Sequence, residues 1–241
     1  MLHKTRGIVF RMIRYSDTSI IANIYTESFG LRSYLINGAH GKKAKIKASL
    51  FQPLALVEMN VTNREKSTMH RISDMTAVHT WTSIPYDIRK SSVLMFINEM
   101  LYKSVREEEP NPALFEFISH AVQILDLSPE NSANFHLVFL TQLANLLGFS
   151  PQGRYSDETP VFNLAEGCFQ SHAPSHVHFM PAEIACLFSG VLDINFENCH
   201  SLGIQSRQRR ELLRKIIEYY QLHISTVKEI KSHIVLEEVM G

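Results

Sequence analysis

The spacing of hydrophobic and polar positions changes once along this chain. Residues 5–13, 19–26 and 31–37 are short runs rich in β-branched and aromatic side chains, separated by Ser16-Asp17 and by Phe29-Gly30. Runs of this kind bounded by turn residues predict strands. Residues 54–61 and 67–78 supply two more, joined through Thr62-Asn63-Arg64-Glu65-Lys66. Five short antiparallel strands in about 80 residues suit a small barrel, of which the OB-fold is the commonest form that binds nucleic acid. Within residues 31–37 one parity holds Leu31, Ser33 and Leu35, and the other holds Arg32, Tyr34 and Ile36. That alternation predicts an apolar inner face and an exposed basic and aromatic one.

Near Pro85 the period lengthens to about three and a half residues. Val93, Leu94, Ile97, Met100, Leu101 and Val105 line one helical face, and Leu114, Phe115, Ile118, Val122 and Leu125 line a second. Asn111 and Pro112 stand where an N-cap and a first helical residue belong. Ser128-Pro129 starts a third helix, carrying Phe135, Val138, Phe139, Leu143 and Leu146 and stopping at Gly148. Residues 152–180 read as a small β-hairpin insertion. Helical pattern returns at 182–192 and 208–222, and a closing helix is expected to start from a capping box of Thr226 and Glu229. The fold class is therefore α+β: an OB-fold barrel over residues 1–80, then a helical domain over 81–241 with the inserted hairpin.

Charge follows the same division. The chain has 24 Lys and Arg against 24 Asp and Glu, yet residues 1–80 hold twelve of the cations and five of the acids. A basic barrel joined to an acidic helical part suggests a polyanion site, because counterions released from a phosphate backbone drive binding. The strongest local signal is the run from Gly38 to Lys47, with Lys42, Lys43, Lys45 and Lys47. Like charges this close repel unless an anion screens them. Arg11, Arg14, Arg32, Arg64 and Lys66 belong to the same small domain, and Tyr34, with Tyr15 and Tyr25, is a candidate for stacking on unpaired bases. A second group, Arg207, Arg209, Arg210, Arg214 and Lys215, crowds one end of a C-terminal helix. It reads either as a solvated face or as a contact for nucleic acid or an acidic peptide tail.

Little points to catalysis. The chain lacks a GxSxG elbow, a GxxxxGK[ST] phosphate loop and an HExxH pair, so a binding protein is expected rather than an enzyme. Cys168, His172, His176 and His178 have metal-like spacing without a CxxC knuckle, which reads as a histidine-rich loop, with structural zinc the lesser alternative. Three cysteines without a CxxC pair fit a reducing compartment. No apolar window spans a bilayer, so the expectation is a soluble, cytoplasmic protein without a cofactor or membrane partner.

Several stretches in order resemble the RecO family of bacterial recombination mediators. They are Tyr15-Ser16-Asp17, Thr26-Glu27-Ser28-Phe29-Gly30-Leu31-Arg32, Asn37-Gly38-Ala39 with its lysines, Leu50-Phe51-Gln52-Pro53-Leu54, Glu108-Glu109-Pro110-Asn111-Pro112-Ala113-Leu114-Phe115, and Leu146-Leu147-Gly148-Phe149-Ser150-Pro151. The resemblance implies a non-enzymatic role in DNA repair. It implies binding of single- and double-stranded DNA, annealing of complementary strands, and recombinase loading with a RecR-type partner and the single-stranded-DNA-binding protein. Many members carry a four-cysteine zinc site just after the Gly-Phe-Ser-Pro stretch. This sequence has no cysteine from Gln152 to Asp157, and Phe162, Leu164 and Phe169 are expected to pack the hairpin instead. The competing classes are another OB-type factor that handles RNA, and a metallohydrolase built on the histidine loop.

Overall fold

The N-terminal apolar runs form five strands, β1 (Leu2–Arg14), β2 (Ile20–Thr26), β3 (Gly30–Ile36), β4 (Leu56–Thr62) and β5 (His70–Ala77). They are seen in a computed structural model that describes residues 2–37, 46–62, 69–128 and 133–240. The strands close into a barrel in the order β1-β2-β3-β5-β4, with β3 and β5 parallel and the other neighbours antiparallel. This is an OB-fold. A register shift between Val9 and Arg11 bends β1, which pairs with β4 through its first half and with β2 through its second.

The barrel interior decides which parity of β3 faces in. Ile20 pairs with Ile36, Ala22 with Tyr34 and Ile24 with Arg32, and Ile20, Ala22, Ile24, Tyr34 and Ile36 all belong to the buried core. Tyr34 is 1% exposed, and burial pushes its hydroxyl up to about 12. The expected exposed face of Arg32, Tyr34 and Ile36 is thus the inner one, and Tyr34 packs rather than offering its ring to bases. A barrel of five strands needs large side chains from every strand to fill it, and β3 supplies Tyr34 and Ile36.

The helices are α1 (Ile88–Ser104), α2 (Pro112–Leu127), α3 (Phe135–Leu146), α4 (Ala182–Leu192), α5 (Ser206–His223) and α6 (Ser232–Met240). A three-stranded sheet between α3 and α4 contains β6 (Val161–Asn163), β7 (Cys168–Gln170) and β8 (Phe179–Met180) in the order β7-β6-β8. The chain divides into two compact units. One comprises Met1–Thr82 with Val105–Gln123, and the other Ser83–Ser104 with Ile124–Gly241.

In the first unit Asn111 caps α2, its Oδ1 accepting the N–H of Leu114 at 3.1 Å. In the second, α3 ends at Gly148, whose φ of 87° suits a residue without Cβ. The N–H of Phe149 donates to the carbonyl of Ala144 at 3.1 Å and that of Gly148 to Asn145 at 3.3 Å, which completes a Schellman cap. The expected start of α3 at Pro129 falls outside the described residues. Phe162 anchors the inserted sheet, its ring centre 4.9 Å from Phe169, 4.8 Å from Phe188 and 5.6 Å from Tyr219.

The closing helix starts five residues later than the local pattern suggests. The Thr226 hydroxyl donates to the carbonyl of Lys103 at 2.6 Å, and no capping box forms there. The cap comes instead from α1: the Glu99 carboxylate accepts the N–H groups of Lys231 at 3.0 Å and Ser232 at 2.7 Å, and the Ser232 hydroxyl at 2.5 Å. Burial raises the proton affinity of Glu99, but the bonds from Ser232, Lys103 and Lys231 outweigh it and bring its pKa to about 2. A depressed carboxylate pKa stabilises the fold fully above the unfolded value of about 4.3, and the contribution is lost as pH falls through the folded value. Glu99→Gln is expected to lower stability at neutral pH by about 1–3 kcal/mol and to flatten its decline between about pH 4 and pH 2. Thermal melts followed by helical circular dichroism across that range check this. Parallel profiles for the two proteins would show that Glu99 caps nothing in solution.

Candidate nucleic-acid interface

Strand register places the cations of the barrel. The partners Ile13–Ile21, Ile21–Leu35 and Leu35–Arg71 run as one row across β1, β2, β3 and β5. Arg11–Asn23 and Asn23–Ser33 form a shorter row two residues away. Both rows belong to the outward parity, since the alternate residues of β2 and β3 fill the core. The result is an outer face with Arg11 and Arg71 exposed on its flanks and an aliphatic and amide floor between them. On that floor the Ser33 hydroxyl lies 3.4 Å from Asn23 Oδ1.

Both basic insertions are tethered to strands of this face. One leaves β3 directly after Ile36 and returns at Ile46, and these two residues share the barrel core. The other connects β4 to β5 just ahead of His70 and Arg71. Lys42, Lys43, Lys45, Arg64 and Lys66 lie outside the described residues. Lys47 is exposed at the start of the 3-10 turn Ala48–Phe51. Arg14 is exposed at the far end of β1, with Asp17 at 3.6 Å.

Other cations of the barrel are held by acids. Lys4 pairs with Glu58 at 2.8 Å. Arg6 donates to both oxygens of Glu27, at 2.9 and 2.6 Å, and also to Glu116, while its guanidinium sits 5.1 Å from the ring centre of Phe115. The bonds to Glu27 and Glu116 raise the proton affinity of Arg6 further and lower that of Glu27. Arg32 lies 3.4 Å from Glu108. Among the described cations of the barrel, Lys4, Arg6 and Arg32 are held by acids, Arg14 lies near Asp17, and Arg11, Lys47 and Arg71 are exposed.

The aromatic residues divide similarly. Tyr25 is buried, stacked between Phe10 and Phe115 at 5.7 and 6.4 Å, whereas Tyr15 is exposed at the tip of the β1–β2 turn. Arg71 is the residue that the sequence reading left out of the interface. Alternation over residues 70–72 could have found it, because buried His70 and Ile72, which packs against the core, flank Arg71; the register shifts before core Met75, so the period does not carry through the whole strand.

At the other end of the chain, Arg207, Arg210, Glu211 and Arg214 line an open groove along α5. Arg214 is engaged bidentately by Glu237 at 2.9 and 2.6 Å, which raises its proton affinity. Lys215 pairs with Glu218 at 2.9 Å. Arg209 turns inward, donating to Asn134 Oδ1 at 3.0 Å and to the carbonyl of Ile204 at 2.9 Å.

The metal-like residues do not converge. His178 Nδ1 is 2.7 Å from Glu218, His176 Nδ1 accepts the N–H of His178, and His172 contacts the hydroxyl of Ser171. Among the described residues no three His, Cys, Asp or Glu side chains are disposed around a common metal position, so this donor set does not fit a zinc ion. Among those residues, too, no helix is long and apolar enough to cross a membrane.

Comparison with known proteins covers both units. Residues 1–81 match the family described as recombination protein O N terminal, and residues 85–232 match recombination protein O C terminal. A protein of Phocaeicola vulgatus named DNA repair protein RecO is 35% identical over 241 residues, covering all of both chains. Proteins of the same name from Bacteroides fragilis and Flavobacterium psychrophilum are 37% and 36% identical over 240 residues, 99% of each chain.

Proposed function

Since the chain belongs to the recombination protein O family, whose role lies in DNA repair and recombination, we propose that it binds single- and double-stranded DNA on the outer face of its barrel and anneals complementary strands. The observation that carries this reading is the outer row of β1, β2, β3 and β5. Two exposed arginines flank it, and in sequence the lysine-rich segment follows β3 and the segment containing Arg64 precedes β5.

The mechanism is electrostatic. Two complementary strands repel through their phosphates, and salt or bound cations lower that repulsion. A face with cations on both flanks and long basic side chains on its tethered segments neutralises two backbones at once, while the aliphatic and amide floor leaves the base edges free to pair. No bond is made or broken. We further assign recombinase loading with a RecR-type partner and the single-stranded-DNA-binding protein to the chain, with the Arg207 and Arg210 groove as the place for an acidic peptide tail or a second strand contact.

The test is an annealing assay with two complementary oligonucleotides, bare or coated with single-stranded-DNA-binding protein. The chain is expected to accelerate duplex formation at least tenfold in low salt, with the gain fading as salt screens the contacts. Binding to structured RNA in preference to single-stranded DNA, with no acceleration of annealing, would favour an RNA-handling role.

A further inference from the structure

Arg32, one of the cations named for the interface, is already held by an acid from residues 107–109. We propose that the Glu108 carboxylate occupies a phosphate position on the barrel, so that Arg32 exchanges it for a backbone phosphate when a nucleic-acid strand binds. The proposal rests on the nucleic-acid reading above and adds a regulated subsite beside the outer face: Arg32 has the inward parity of β3, near the start of the strand, and reaches solvent next to Glu108.

Three features of the contact support exchange. Arg32 is fixed at its base by β3 and its side chain is 22% exposed, whereas that of Glu108 is 83% exposed and reaches it at a single 3.4 Å contact. An ion pair with one partner in solvent contributes little net free energy, so a competing anion displaces it readily. The acidic segment is also anchored independently of the pair. The Leu31 N–H donates to the Glu107 carbonyl at 2.8 Å, and the main chain of residues 107–109 lies so close to Gly30 that a Cβ there would sit 2.5–2.8 Å from it. The Glu108 side chain can therefore swing away and return while its backbone stays in place.

His70, paired with Tyr34 across β3 and β5, feels both groups: burial is the main cause of its lowered proton affinity, Arg32 lowers it further and Glu108 opposes them. Arg6 is the contrast. Two oxygens of Glu27, Glu116 and the face of Phe115 grip its guanidinium, and a strand has no exposed single contact to replace there. The barrel thus holds one arginine as a strut and one as a gated donor, and the gate favours strands able to offer a phosphate over weaker anions.

The experiment is fluorescence anisotropy of a labelled oligothymidylate with the full chain, comparing wild type, Glu108→Gln, Arg32→Gln and the double variant. Glu108→Gln is expected to tighten binding about threefold in low salt and to steepen the salt dependence by about 0.7 in logarithmic slope, since one phosphate contact no longer has to release a carboxylate. In the Arg32→Gln background the same change should give little or no gain. An equal gain with and without Arg32 would make the effect one of general charge and overturn the exchange, as would no gain at all. Absence of salt-dependent binding by the wild-type chain would instead sink the nucleic-acid reading itself.

Discussion

Gly30→Ala is expected to destabilise the barrel unit by about 2–5 kcal/mol, from left-handed backbone strain and steric overlap together. Gly30 has a φ of 65°, a region in which a Cβ crowds the following carbonyl. The added methyl would also stand 2.5 Å from the Glu109 carbonyl oxygen and 2.7 Å from that of Glu107. These are main-chain atoms, and one of them accepts the Leu31 N–H, so relief requires the segment to move and that bond to break. The single tryptophan, Trp81, lies in this unit, and its fluorescence during urea unfolding reports the loss. A variant with the wild-type midpoint would mean that residues 107–109 do not pack on the β2–β3 turn in solution.

A comparable loss is expected in the helical unit from Asp126→Ala, about 2–4 kcal/mol. Asp126 is 1% exposed. Its Oδ1 accepts the N–H groups of Ser83 at 2.9 Å and Ile84 at 3.0 Å. Beside it the buried ammonium of Lys90 donates to the Ser83 hydroxyl at 2.7 Å and to the carbonyls of Asp126 and Ser128 at 3.1 and 2.6 Å. Alanine strips two buried N–H groups of their acceptor and removes the negative charge from a network that contains a buried cation. Asp126→Asn retains an acceptor oxygen and loses only the charge, so its destabilisation should fall between wild type and alanine. Urea unfolding followed by helical circular dichroism ranks the three proteins. If asparagine were as damaging as alanine, the carboxylate charge rather than its hydrogen bonds would hold the network.

How much of this was legible in the sequence depended on how local the cause was. The five strands and the helices α1 to α5 follow from their apolar periods, and the Asn111 cap and the Gly148 stop from single residues whose chemistry suits those positions. Parity in β3 was different. Alternation sorts Arg32, Tyr34 and Ile36 from Leu31, Ser33 and Leu35, but both sets mix apolar and polar residues, and only pairing with Ile20, Ala22 and Ile24 shows which one fills the barrel.

The start of α6 departs from the local pattern for a related reason. Thr226 and Glu229 satisfy a local capping rule, yet the effective cap, Glu99, is 133 residues from Ser232 along the chain. The same holds for the ion pairs of Arg6 and Arg32, whose acids come from beyond the strands. Composition could count the cations of the barrel. It could not tell which of them already had a carboxylate.

The central claim is that the cations on and beside the outer face of the barrel contact nucleic-acid phosphates. It is tested most directly by the salt dependence of single-strand binding for wild type and for a variant with Lys42, Lys43, Lys45 and Lys47 all changed to Ala, measured from about 50 to 200 mM salt. The account predicts weaker binding by the variant at the lowest salt and a logarithmic slope shallower by about two to three, since each lost phosphate contact removes about 0.7. Coincident lines for the two proteins would contradict it.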